Sequence, residues 1–139
     1  MRRSLARFCL AVSACAVAAP EAATPQITPD LPSISLKGGE TLEITDLWYS
    51  VHCQSQLKST PTAEVLEGSP EITVSVKKAM VVPREQSCPE PIEGGKLYVT
   101  ASEIADYGIS KLSIRITFDT KDGERKVSET YNVTLFPKE

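Results

Sequence analysis

The chain has 139 residues, 41% of them hydrophobic, with 15 Lys and Arg against 18 Asp and Glu for a formal net charge of −3. That length supports one domain with a modest core. The acidic balance argues against nucleic acid as a partner, because affinity for phosphate backbones rests on cationic contacts, and the interspersed signs read as a solvated surface rather than an acidic docking face.

Met1-Arg2-Arg3 and Arg7 form a positive n-region, followed by an apolar, small-residue run over 8–19. This is the pattern of an export signal, and about a dozen residues is too short for a bilayer span, which needs roughly 20. Ala16-Val17-Ala18 offers an A-x-A site, which makes 1–18 a signal peptide. A competing reading takes Val12-Ser13-Ala14-Cys15 as a bacterial lipobox with a lipid anchor at Cys15; the apolar run ahead of it, 8–14, is short for that role. Removal of 1–18 takes three arginines with it, leaving 121 residues with 12 basic and 18 acidic side chains, a charge of about −6. Cys9 and Cys15 leave with the signal, so Cys53 and Cys88 remain. In an exported chain these two read as one structural disulfide, and closing a loop of about 36 residues contributes roughly 3 to 4 kcal/mol on the chain-entropy account. The alternatives are a metal site at His52 and Cys53 or a reactive thiol. A closed zinc site wants four ligands and this chain has a single His, so no metal or other cofactor is expected.

Residues 19–32 hold Pro25, Pro29 and Pro32 and read as an extended arm or tether before a domain over 33–137. Ile34 and Leu36 make a short strand, and Lys37-Gly38-Gly39-Glu40 is a turn. Thr41 to Trp48 alternates, with Leu42, Ile44 and Trp48 on one parity. Asp46 falls on that parity too, which predicts a bend between Asp46 and Trp48. A second strand is expected through Tyr49, Val51 and Cys53. After a polar stretch, Ala63 and Val65 form a strand ended by Glu67-Gly68-Ser69-Pro70. Ile72, Val74 and Val76 face inward on the next, and the parity failure at Lys77-Lys78 predicts a β-bulge or a break. Residues 83–95 hold three prolines, two glycines and Cys88 and read as a long loop. Leu97, Val99 and Ala101 form a further strand, and Ser102 is placed to cap a helical turn ending near Gly108. Two alternating runs then flank Lys121-Asp122-Gly123-Glu124, where Asp-Gly is a two-residue hairpin signal. Folding about it sets Phe118 opposite Val127, Ile114 opposite Tyr131 and Leu112 opposite Val133, with Glu129 opposite Ile116 as the one charge on an apolar face.

Seven or eight short strands without a long helix is the pattern of an antiparallel sandwich. Leu97-Tyr98-Val99-Thr100-Ala101, then Ile104, Asp106 and Tyr107, then the strand Leu112 to Phe118, resemble the E strand, E-to-F corner and F strand of immunoglobulin-like domains. The resemblance implies a single all-β sandwich, with Tyr107 as the corner tyrosine and Trp48 as the buried core tryptophan. It departs from the family in the disulfide: no cysteine lies on the F strand, so Cys53–Cys88 would tie a strand to a loop. Trp48-Tyr49-Ser50-Val51-His52-Cys53 and Lys121-Asp122-Gly123 also resemble segments of small, uncharacterised exported bacterial proteins, which implies a compartment and no activity.

No arrangement of catalytic residues stands out. His52 is the only imidazole and sits beside a cysteine expected to be oxidised, and no G-x-S-x-G, C-x-x-C, H-E-x-x-H or calcium loop occurs. Glu40, Glu43, Glu71, Asp119, Asp122 and Glu124 fall in turns or on outward parity, and Gly38-Gly39 and Gly94-Gly95 read as turn glycines. Glu129 reads either as a ligand-contacting carboxylate at the mouth of the sandwich or as an inward charge that discourages edge-to-edge pairing. Asn132-Val133-Thr134 matches a glycosylation sequon but lies within a strand. The 83–95 loop presents Arg84, Glu85 and Gln86 to a partner if it is more than a crossover. The expectation is a non-catalytic periplasmic or envelope protein with a protein partner, no membrane span, and a monomer or edge-strand dimer. The alternative is a secreted hydrolase inhibitor acting through 83–95; an enzyme, using His52 or Glu129 in a cleft, comes third.

Overall fold

The computed structural model describes residues 30–84 and 87–139. The expected signal peptide, the lipobox, nearly all of the arm, and Glu85 and Gln86 lie outside the described residues.

The described chain is all-β. Its strands are β1 (Ser33–Lys37), β2 (Thr41–Leu47), β3 (Ser50–Val51), β4 (Gln54–Ser55), β5 (Thr62–Glu67), β6 (Ile72–Val81), β7 (Ile92–Ala101), β8 (Gly108–Thr120) and β9 (Gly123–Phe136). They form a four-stranded sheet in the order β1-β9-β8-β5, a three-stranded sheet β2-β7-β6 and the small β3-β4 pair. Among the described residues no helix is long and apolar enough to cross a membrane.

The alternation of β8 and β9 works as the sequence suggests. Leu112, Ile114 and Ile116 of β8 are fully buried, and Tyr131, Val133 and Leu135 of β9 join them. Leu97, Val99, Ala101 and Ile72 from the other large sheet complete one cluster with Leu36 and Leu47. Each such Leu or Ile is worth about 1.5 to 3 kcal/mol when fully buried, so this shared cluster is what holds the two large sheets together.

The β8–β9 register differs from expectation by two residues. Thr120 pairs Gly123, Phe118 pairs Arg125, Ile116 pairs Val127, Ile114 pairs Glu129 and Leu112 pairs Tyr131. The turn residues are therefore Lys121 and Asp122. Neither has positive φ, whereas Gly123 does, at 111°, so this is not the mirror-image turn that an Asp-Gly pair favours. Thr120, fully buried, fixes it: its hydroxyl accepts from Asp122 N at 3.2 Å and donates to Gly123 O at 2.6 Å. A two-residue slip keeps every side chain on its face, which is why the core survives the change.

Other local readings change for identifiable reasons. The expected bend near Asp46 is instead an irregularity between Glu43 and Thr45, where β2 slips against β7. The strand expected through Tyr49, Val51 and Cys53 is only Ser50–Val51, because His52 and Cys53 turn the chain with φ of 50° and 60°. Ser102 accepts from Ile104 N in a single turn and caps no helix.

The pairing of β6 with β7 is unbroken from Ile72↔Ala101 to Val81↔Ile92, so no bulge occurs at Lys77-Lys78. What changes there is the buried side. Ile72, Val74 and Val76 face inward, but Val81 and Ile92, on the opposite parity, are buried at the far end. The exchange occurs where Ala79 and Lys78 meet Gly94 and Gly95. These glycines thus lie inside β7, and the loop expected over 83–95 spans only 82–91. A Cβ on Gly94 would sit 2.3 Å from Leu47 O, and one on Gly95 2.8 Å from Val76 Cγ1. Close backbone approach, rather than turning, is the reason for glycine here.

Candidate functional site

One end of the domain gathers the β2-to-β5 connection, the 82–91 loop and the β8–β9 turn. The first of these contains the β3–β4 pair, Ser50↔Ser55 and Val51↔Gln54. Its two central residues, His52 and Cys53, both have positive φ. Mirror-image two-residue turns require this, and they normally use Asn and Gly. A non-glycine residue there costs of order 1 kcal/mol or more and persists where surroundings impose it. Here they do so twice: Gln56 N donates to Tyr49 O at 2.8 Å, and Cys53 is bonded to Cys88 with 5.5 Å between Cα atoms.

Further bonds lock the three segments together. Ser55 Oγ donates to Glu93 O at 2.9 Å, joining β4 to β7. Lys58 N donates to Asp119 O at 2.8 Å and Lys121 N to Gln56 O at 2.9 Å, joining the same connection to the β8–β9 turn. The Arg125 guanidinium lies 5.8 Å from the Tyr49 ring centre, within cation–π range. Cys88 is buried, while His52, Val51, Val82 and Arg84 are exposed.

From this end a cleft of about 250 Å³ runs along β2, lined by Glu43, Ile44, Thr45, Asp46, Trp48, Arg84 and Lys96. Register builds its floor, since Asp46 pairs Lys96 and Glu43 pairs Tyr98 across β2 and β7. Lys96 Nζ donates to Glu43 Oε1 at 2.7 Å and lies 3.3 Å from Asp46 Oδ1. The hydrogen bond from Lys96 holds the Glu43 carboxyl below the usual carboxylate range, and that bond and the one to Asp46 raise the Lys96 ammonium above its ordinary value. Lys77 Nζ sits 4.7 Å from the Tyr98 ring centre on the same outer face. Both carboxylates of the cleft thus share the one ammonium of Lys96, and among the described residues Arg84 makes no ion pair.

Trp48 is half-buried and lines this cleft instead of the core, and Tyr107 is 62% exposed against Phe136 with ring centres 5.8 Å apart. Neither takes the immunoglobulin-family position expected of it. Arg84 and Trp48 both line the cleft, a combination that the sequence did not signal. Outward parity in β2 placed Glu43 at the surface, but only the pairing of strands about fifty residues apart brings it to Lys96.

His52 lies at the tip of the β3–β4 turn, and no group of three or more His, Cys, Asp or Glu among the described residues is arranged to hold a metal. Glu129 is half-buried, and its carboxylate accepts a hydrogen bond from Tyr131 Oη. Asn132 is buried within β9, so the sequon offers no accessible acceptor in the folded chain. In comparisons with known proteins, no family model and no curated protein matches the chain.

Proposed function

We propose that this is an exported, non-catalytic binding protein of the bacterial envelope, built on an immunoglobulin-like sandwich, whose disulfide-bound end seats a protein partner in the cleft between Trp48 and Arg84. The observation that carries the reading is that cleft: an aromatic ring and a guanidinium without an ion-pair partner among the described residues line it together, on two segments that the Cys53–Cys88 disulfide ties to each other. Trp, Tyr and Arg dominate binding energetics at protein interfaces, and a cross-link between two segments lowers the entropy they lose on association. A carboxylate of the partner is the natural complement to Arg84, because the carboxylates of the cleft are engaged with Lys96. Strand order supports the family reading, since β2-β7-β6 and β9-β8-β5 reproduce the B-E-D and G-F-C arrangements of immunoglobulin-like sandwiches. On that mapping the three tied segments are the B-to-C, D-to-E and F-to-G loops.

The test is affinity capture from envelope extracts by the wild-type protein and by Trp48→Ala and Arg84→Ala, each checked for an unchanged melting temperature. Loss of a specific partner with both variants supports the reading, and retention with both sinks it.

A second reading, inhibition of a hydrolase, is favoured by the 82–91 loop itself. Arg84 is exposed there, Ser87 has φ of 39°, and buried Cys88 anchors the segment to the β3–β4 turn. Replacing residues 84–87 with glycines would abolish inhibition, whereas Trp48→Ala would leave it intact; that split separates the two readings.

A further inference from the structure

The 14-residue strand β9 is paired with β8 on one side from Gly123 to Leu135, but on its other side β1 covers only Asn132 to Phe136. Among the described residues nothing pairs with that second edge over 123–131. Residues 124–128 are exposed, and Val127 is 47% exposed. A free edge of this length is a template for another strand unless its side chains forbid pairing.

We propose that this edge is a self-association site: two copies pair their β9 strands antiparallel about a two-fold axis through Val127. Two independent features lead there. The midpoint of the unpaired stretch 123–131 is residue 127, so a partner strand centred on Val127 runs from the turn to the point where Pro32, whose carbonyl accepts from Asn132 N at 2.9 Å, leads into β1. The charges select the same register. With Val127 opposite itself, Arg125 of each copy faces Glu129 of the other, on the same face and twice over. A two-fold antiparallel pair requires each residue to face one of its own parity, so the neighbouring registers are few. Centring on Arg125, Lys126 or Glu129 sets a charge directly against its own copy, and centring on Ser128 sets Val127 against Glu129. Like charges directly opposite are destabilising and opposite charges favourable. On the other face Lys126 faces Ser128, and its ammonium keeps Glu124 at 3.3 Å within its own chain. The joined four-stranded sheets would run continuously across the axis, with each β1 lying end to end with the partner's β9. In this light Glu129 picks a register rather than blocking the edge.

Sedimentation of the exported, disulfide-intact protein over a concentration series tests the idea. A monomer–dimer equilibrium is expected. Arg125→Glu and Glu129→Arg should each weaken it at least tenfold, by setting like charges against each other, and the double exchange should restore it. Val127→Cys should oxidise to a covalent dimer, because directly opposed Cα atoms about 4.5 to 5.5 Å apart suit a disulfide. Glu124→Cys, whose own copy stands six residues along the ladder, should not. Because Val127 and Glu124 are surface positions, these two variants keep the test open if a charge reversal impairs folding. Three results overturn the proposal: a monomer at every concentration, a dimer indifferent to the single exchanges, or a chain that dimerises only once residues 19–29 are removed, since its own arm would then occupy the edge.

Discussion

Gly94→Ala should be among the most damaging single changes in this domain. A Cβ there would stand 2.3 Å from Leu47 O and 2.7 Å from Val81 Cγ2, and real Cβ atoms essentially never come within 3.0 Å. Neither neighbour can retreat cheaply. Leu47 is 4% exposed and paired to β7, and Val81 is 2% exposed with a β-branched side chain of limited rotamer choice. Overpacking by a methyl group typically costs about 1 to 3 kcal/mol. With a backbone carbonyl as the obstacle, the upper end, about 3 kcal/mol, is expected, and for a domain of about 100 residues that lowers the melting temperature by roughly 12 to 24 °C. Gly108→Ala is the control, because a Cβ there meets nothing within 4 Å and the residue lacks positive φ. It should be neutral or stabilise by up to about 1 kcal/mol. Circular dichroism melts of both variants decide the matter. Equal melting temperatures for the two would show that β2 does not press on β7 at Gly94, and the account of the glycine pair would fail.

Replacing Cys53 and Cys88 together with alanine should destabilise the domain by about 4 kcal/mol, the loop-closure value for a separation of 35 residues. Denaturant titration with and without the disulfide checks it. Ile114→Ala should cost about 2 to 5 kcal/mol, because Ile114 is fully buried in the shared core, whereas Glu64→Ala, which breaks an exposed pair with Arg115 at 3.2 Å, should cost less than about 1 kcal/mol. Burial and the Glu129 carboxylate raise the Tyr131 phenol above its ordinary 10.0. The folded chain therefore holds this proton more tightly than the unfolded chain. The associated stability is complete below pH 10 and falls above it by up to about 1.4 kcal/mol per pH unit. Tyr131→Phe should flatten that alkaline decline, and equal slopes in denaturant titrations from pH 9 to 11 would refute the assignment.

Most of the core was legible because it obeys a period of two. Leu97, Val99, Ala101, Leu112, Ile114, Ile116 and Val133, read from alternation alone, are all buried. The hairpin register was not legible in full, because Asp-Gly suggests a turn centred on itself, and only the bonds of the Thr120 hydroxyl place the turn one residue earlier. Gly94-Gly95 carries the composition of a turn, and the carbonyl that makes glycine necessary belongs to Leu47, far away in sequence. The β3–β4 turn gave no signal at all, since His-Cys is not a turn dipeptide and acquires positive φ only in the company of Cys88 and Tyr49. The cleft was hidden for a related reason. Trp48 looks like a core residue on hydrophobicity, and its place outside the core follows from the slip between Glu43 and Thr45, which the sequence does not announce.

The first and last strands of the domain lie side by side and run in the same direction, Ser33 against Asn132 through Lys37 against Phe136. Suppose the chain is held by the segment before β1 and pulled from beyond β9. The load then runs along the ladder in shear, and all five register pairs resist together instead of opening one at a time. A tether through its leading segment would therefore load the domain along its most resistant direction.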